Sequence, residues 1–129
     1  MLQTFIEEAE KFFLEASKKD QTPVMISFEL KGVRPFAARY GIEKGNQFLA
    51  AFSGLLKERF TEKLSVRCGE YSFLACTVSN GMEEVIPEFL EDVKVLEGGD
   101  RISLKAGLYN RYRPGDDMVT VCDRARMVC

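Results

Sequence analysis

Between Leu64 and Val78 the chain reads LSVRCGEYSFLACTV, two apolar-rich runs of strand length on either side of Gly69-Glu70. Glycine reaches positive φ at no steric cost, so the natural reading is a β-hairpin with its tip at Gly69-Glu70. The tip falls mid-chain, between segments of helical periodicity. A hairpin so placed is often where an α/β domain sets its chemistry.

The flanking segments divide cleanly. Leu2, Phe5, Ile6, Ala9, Phe12, Phe13 and Ala16 recur at helical spacing with Glu and Lys between them, which predicts an amphipathic helix over 2–19. Thr22-Pro23 breaks it, and VMISFEL (24–30) predicts a strand with Val24, Ile26, Phe28 and Leu30 on one face. Residues 31–35 read as a turn, 36–40 as a short helix ending at Gly41, and the stripe of Phe48, Leu49, Phe52, Leu55 and Leu56 as a helix over about 43–60. After the hairpin, Asn80-Gly81 is a turn signal, and Met82, Val85, Ile86, Phe89, Leu90 and Val93 form a third stripe closed by Gly98-Gly99. Pro87 is expected near the first turn of that helix, because an interior proline costs roughly 3 kcal/mol. Ile102, Leu104, Ala106 and Leu108 alternate as a further strand, Pro114-Gly115 ends it, and 116–129 begin a last helix.

The order αβααββαβα predicts an α+β sandwich, a mixed and mainly antiparallel sheet of about five strands flanked by helices. Residues 1–129 are expected to be a single domain. The opening helix has no capping segment before it and the last helix breaks off at Cys129, which suggests a domain truncated at both ends.

Composition removes several classes of function. A net charge of −2 gives no basic face for nucleic acid. No apolar run reaches the length of a membrane span and no secretory signal opens the chain, so a cytoplasmic domain without membrane contact is expected. The four cysteines form no CxxC pair and histidine is absent, which excludes the usual zinc sites and histidine-based triads. Cys68 and Cys76 stand on opposite hairpin arms at different distances from the tip, too far apart to bridge. Buried reduced thiols are expected.

Four stretches then fall into one pattern: Glu29 on the first strand, Tyr40-Gly41-Ile42-Glu43-Lys44-Gly45-Asn46, Arg67-Cys68-Gly69-Glu70-Tyr71-Ser72-Phe73 on the hairpin, and Val121-Cys122-Asp123-Arg124-Ala125 near the end. In order and spacing the whole chain resembles the GGDEF domain of bacterial diguanylate cyclases, whose motifs are a strand acid, YGHxxGD, R-x-GGDEF and RADxAL. The resemblance implies a nucleotide-cyclase-like palm. It also implies a reaction in which two GTP molecules, held by facing domains, become cyclic-di-GMP as each 3′-hydroxyl attacks the other's α-phosphate. Mg²⁺ or Mn²⁺ neutralises the phosphates and requires hard oxygen ligands.

The resemblance assigns nucleotide contacts to Glu29, the Leu30 carbonyl, Ala37, Asn46, Gly69, Glu70 and Tyr71. Their chemistry departs from the pattern. Gly69 and Phe73 keep the first and last positions of the hairpin motif, but Glu70 replaces its second glycine, and Tyr71 and Ser72 replace both acids. Glu29 is left as a weak lone metal ligand. Ala37 replaces an Asn and cannot hydrogen-bond guanine; Asn46 replaces an Asp. Arg59-Phe60-Thr61-Glu62 is similar to the family's RxxD product site but out of register by one.

No catalytic residue is therefore expected. The resemblance implies a degenerate, catalytically silent regulatory domain of cyclic-di-GMP signalling, with no cofactor of its own and Mg²⁺ or Mn²⁺ only if GTP binds. Its partners would be GTP, another GGDEF domain or an adjacent EAL domain. Two other readings stand beside it: a divergent active cyclase holding metal with Glu29 and Glu70, and a structural or dimerisation domain with no ligand. Simpler roles exist for single residues too: hairpin packing for Tyr71 and Phe73, a helix cap for Asn46, and first-turn acids for Asp116-Asp117.

Overall fold

The computed structural model describes residues 2–129. Its elements are α1 (Leu2–Lys18), β1 (Pro23–Lys31), α2 (Val33–Tyr40), α3 (Ile42–Phe60), β2 (Ser65–Arg67), β3 (Ser72–Val78), α4 (Met82–Lys94), β4 (Ser103–Tyr109) and α5 (Met118–Met127). The order is the expected one and the α+β class holds. Among the described residues the sheet has four strands rather than about five, in the order β2-β3-β1-β4, and every pairing is antiparallel.

β1 is the central strand. It pairs with β3 on one side and β4 on the other, in registers that set Phe28 opposite Phe73 and Ala106, and Glu29 opposite Ser72 and Lys105. Side chains alternate along a strand, so β1 feeds two cores. Val24, Ile26, Phe28 and Leu30 enter one with residues of α2, α3 and α4. Phe28, Phe52, Phe60 and Phe89 form its centre, with Phe28 and Phe89 rings 5.2 Å apart and Phe60 and Phe89 rings 5.6 Å apart. On the opposite side Met25, Leu74 and Cys76 pack with Phe5, Ala9 and Phe13 of α1 and with Met118, Val121, Cys122 and Ala125 of α5. The expected apolar face of β1 is correct, yet the other face is buried as well, Ser27 included.

Three local expectations are corrected. The short second helix begins at Val33, not 36, because Pro35 sits in its first turn, where a missing N–H leaves no bond unmade. Pro87 lies inside α4, in its second turn. The carbonyl it leaves without a partner belongs to Glu83, and both residues are exposed, which leaves that carbonyl open to solvent. The hairpin's first arm shortens to Ser65–Arg67, and Gly69 is not among the residues with positive φ. Ala106 and Leu108 of β4 share a face as expected, but that face is exposed at both.

Neither Asp116 nor Asp117 lies in the first turn of α5 as expected: Asp117 caps the helix, its carboxylate accepting from the Thr120 amide at 3.2 Å, and the Asp116 carboxylate accepts from the Arg113 amide at 2.9 Å in the preceding turn. All four cysteines are free; Cys76 and Cys122 are buried and Cys68 and Cys129 half-buried. Among the described residues no helix is long and apolar enough to cross a membrane.

Two outcomes follow. A Cβ at Gly107 would lie 2.6 Å from the Ala125 carbonyl oxygen and 2.8 Å from Cys129 Cα, so Gly107 lets α5 lie directly on β4. Gly107→Ala is expected to lower stability in urea unfolding by about 1–3 kcal/mol, the usual cost of overpacking. Burial pushes the Cys122 thiol up to about 12 and Cys76 well above its ordinary value. A thiol reagent at neutral pH should leave both unmodified in the native protein and label all four cysteines in denaturant.

Candidate functional site

The end of β1, the hairpin loop and α2 meet at one rim of the sheet. The Leu30 amide donates to the Tyr71 carbonyl at 2.9 Å, and the Cys68 amide to the Ser72 carbonyl at 2.9 Å. These bonds seat the loop on the central strand. Arg67 holds it from below, its Nε donating to the Gly69 carbonyl at 3.1 Å and its terminal nitrogen to the Glu70 carbonyl.

From α2, Arg34 reaches across to the loop. Its guanidinium pairs with the Glu70 carboxylate at 2.8 Å, its Nε donates to the Tyr71 hydroxyl at 3.4 Å, and it lies over the Tyr71 ring. The hydrogen bond and charge of Arg34 hold the Glu70 carboxyl below its ordinary value, and Arg34 is raised in turn. Both side chains are exposed, so the pair is open to screening by salt.

The expected site residues separate by face. Leu30 is buried in the α2–α4 core and Glu29 points to the opposite side, 3.4 Å from Lys31. There Glu29, Ser27, Ser72, Asp123, Arg126 and Met127 line an open groove of about 490 Å³. Phe73 belongs to the core, its ring 4.8 Å from Phe52, and Tyr71 packs against that core's edge. Ala37 faces α3, where a Cβ at Gly45 would come 3.0 Å from its own, so these small residues let the two helices approach closely. Asn46 is an exposed residue inside α3 and caps nothing; the cap position is Gly41. Arg59 ties α3 to α4 through Glu88 at 3.0 Å and Asp92, an interhelical role.

Sequence reasoning missed Arg34, and it gave no site role to Asp123 or Arg126. The signal for Arg34 was partial: Glu70 puts a charge at a glycine position, but an exposed carboxylate is solvated and requires no particular cation.

Comparison with known proteins rests on structure. No family model matches the sequence, and no curated protein is matched by it. Among solved structures, the active GGEEF domain of a diguanylate cyclase from Vibrio cholerae superposes with a TM-score of 0.77 at 16% identity, over 97% of this chain and 85% of its own. The GGDEF domain of DgcB from Caulobacter crescentus, in complex with c-di-GMP, gives 0.74 at 16% identity, over 94% of this chain and 77% of its own. A sensory box/GGDEF family protein from the same organism gives 0.78 at 13% identity, over 96% and 86%.

This chain has the GGDEF fold. The resemblance drawn from its motifs and the likeness of its architecture agree. Within this GGDEF-like domain, the hairpin loop carries one carboxylate, Glu70, and Arg34 occupies it. Among the described residues no three His, Cys, Asp or Glu side chains converge to hold a metal ion. Glu29, beside Lys31, and Asp123, beside Arg126 in the groove, do not make the oxygen-rich donor set a hard divalent cation takes.

The ion pair has a pH signature. Because the folded-state pKa of Glu70 lies below its unfolded value, the pair supports the loop above the ordinary glutamate range and that support is lost as pH falls through the lowered value. A carboxyl-carbon NMR titration should find Glu70 titrating below the ordinary glutamate value. In Arg34→Ala it should move up toward that ordinary value.

Proposed function

We propose that this domain is a catalytically silent, diguanylate cyclase-like regulatory module of bacterial cyclic-di-GMP signalling. It works in the cytoplasm by binding GTP or by pairing with another GGDEF domain or an adjacent EAL domain. The observation that carries the reading is the Arg34–Glu70 pair with Tyr71 beside it: an arginine from α2 holds the hairpin loop's carboxylate where the family's chemistry needs free ones. An active cyclase built on Glu29 and Glu70 would require Glu70 to leave Arg34, and among the described residues no third ligand converges with these two.

Magnitudes support silence. Metal stabilisation of transition-state charge supplies several kcal/mol, and each ~1.4 kcal/mol is tenfold in rate, so a hairpin without its metal ligands falls short by a factor of about a thousand or more. Regulation by pairing has a parallel among the structural neighbours: the diguanylate cyclase SiaD from Pseudomonas aeruginosa was solved in complex with its activator SiaC.

Isothermal titration with GTP in excess Mg²⁺ or Mn²⁺, followed by chromatography of the end mixture, tests the proposal. Heat without cyclic dinucleotide is the expected result and marks a nucleotide-binding regulator. Formation of cyclic-di-GMP would overturn silence. No heat and no product would remove GTP from the proposal and leave domain pairing as its content.

A further inference from the structure

β4 stands at one edge of the sheet, and the phase of the ladder determines what that edge offers. In an antiparallel pair successive residues turn their N–H and C=O groups to alternate sides. The Leu30 amide bonds to the Tyr71 carbonyl, and the Ser79 amide to the Thr22 carbonyl, both in the register that joins β1 to β3. Even-numbered residues of β1 therefore bond toward β3 and odd-numbered ones toward β4. The odd residues are taken up by Ser103, Lys105, Gly107 and Tyr109, so the backbone groups of Leu104, Ala106 and Leu108 point out of the sheet. Among the described residues no strand pairs with that side of β4.

The same three residues carry apolar side chains on the Phe28 side of the sheet. Leu104 packs against the core there, but Ala106 is exposed and Leu108 is 45% exposed. The opposite face of β4 is covered at Gly107 by α5. Sheet edges are ordinarily blunted by proline, by a bulge or by charge. β4 contains no proline, its register runs without a break from Ser103 to Tyr109, and its one charge is Lys105.

We propose that β4 pairs antiparallel with β4 of a second copy, joining the two sheets across a two-fold axis at Ala106. The strand complements itself in the one register that overlaps its whole length. Ala106 then faces Ala106, Leu104 faces Leu108 on either side of the axis, and the outward backbone groups of all three meet groups in the same phase. Lys105 faces Gly107 in this register, so like charges are kept apart. A slip of two residues in one direction would set lysine against lysine, which disfavours it. The Leu104–Leu108 pairs carry the apolar stripe of the α2–α4 core across the joint. A single added strand buries less than the roughly 1,200–2,000 Å² of stable interfaces, so the pairing is weak and depends on concentration. It shares no residue with the hairpin loop, and it holds whether or not GTP binds there.

The test is sedimentation equilibrium of the whole chain without nucleotide, from about 10 μM to about 1 mM, with amide exchange followed by NMR over the same range. The mass should rise toward that of a dimer. Exchange at the Leu104, Ala106 and Leu108 amides should slow by the factor that sedimentation gives for total over monomeric chain. Ala106→Pro removes the outward N–H at the axis, a change an edge strand tolerates, and Ala106→Lys sets two charges against each other there. Both variants should keep the circular dichroism of the unsubstituted chain and stay monomeric throughout. An unsubstituted chain still monomeric at about 1 mM would overturn the proposal and leave this edge to a strand of another protein. A dimer that persists in a folded variant, or that leaves the three amides exchanging at the monomer's rate, would overturn it as well.

Discussion

The structure depends on one strand being hydrogen-bonded on both edges and buried on both faces. β1 is buried without interruption from Pro23 to Phe28, and it pairs with β3 on one edge and β4 on the other. A strand so placed has no free register. Sliding it by one residue would carry Phe28 out of the aromatic core and Met25 out of the α1–α5 layer at once. The same register determines the rim: Leu30 bonds to the Tyr71 carbonyl, and Glu29 stands opposite Ser72 and Lys105. The position of the hairpin loop is thus a consequence of the core.

Two kinds of force act on that loop and they do different things. The backbone bonds of Leu30 and Cys68, and the Arg67 contacts to the Gly69 and Glu70 carbonyls, determine where it lies. The Arg34–Glu70 pair is solvent-exposed and contributes little to holding it. Its effect is on what approaches. Under the proposed function, a triphosphate arriving at the loop would meet the Glu70 carboxylate and compete with it for Arg34. The loop is therefore positioned by short-range bonds that salt leaves alone, and guarded by a charge that salt weakens.

Much of the fold was legible because its signals are local. The helical stripes of α1, α3 and α4, the alternation in β1 and the turn at Asn80-Gly81 each express a single period, and each became the expected element. What escaped needed information from elsewhere in the chain. The burial of Met25 and Ser27 depends on α1 and α5 covering the second face of β1. The exposure of Leu108 depends on α5 covering only the Gly107 face of β4 and leaving the Leu108 face uncovered. The short first arm of the hairpin reflects where pairing to β3 ends. At the site, the residue types and their order were legible, but Arg34 lies 36 residues from Glu70 and only the fold brings them together.

The motif positions also show which of them the fold itself depends on. Phe73 keeps its place in the motif and lies against Phe52 in the core; Gly45 keeps its place and stands where α2 and α3 are in close contact. Replacing either would cost packing. Glu70 and Asn46 lie on exposed surface, where the fold is indifferent to side-chain identity, and Tyr71 needs only its ring edge against the core. Departures from the motif at Glu70, Tyr71 and Asn46 leave the core intact. Likeness of architecture to diguanylate cyclases is thus strong evidence for how this chain folds and carries no weight on turnover, which rests on the rim residues alone.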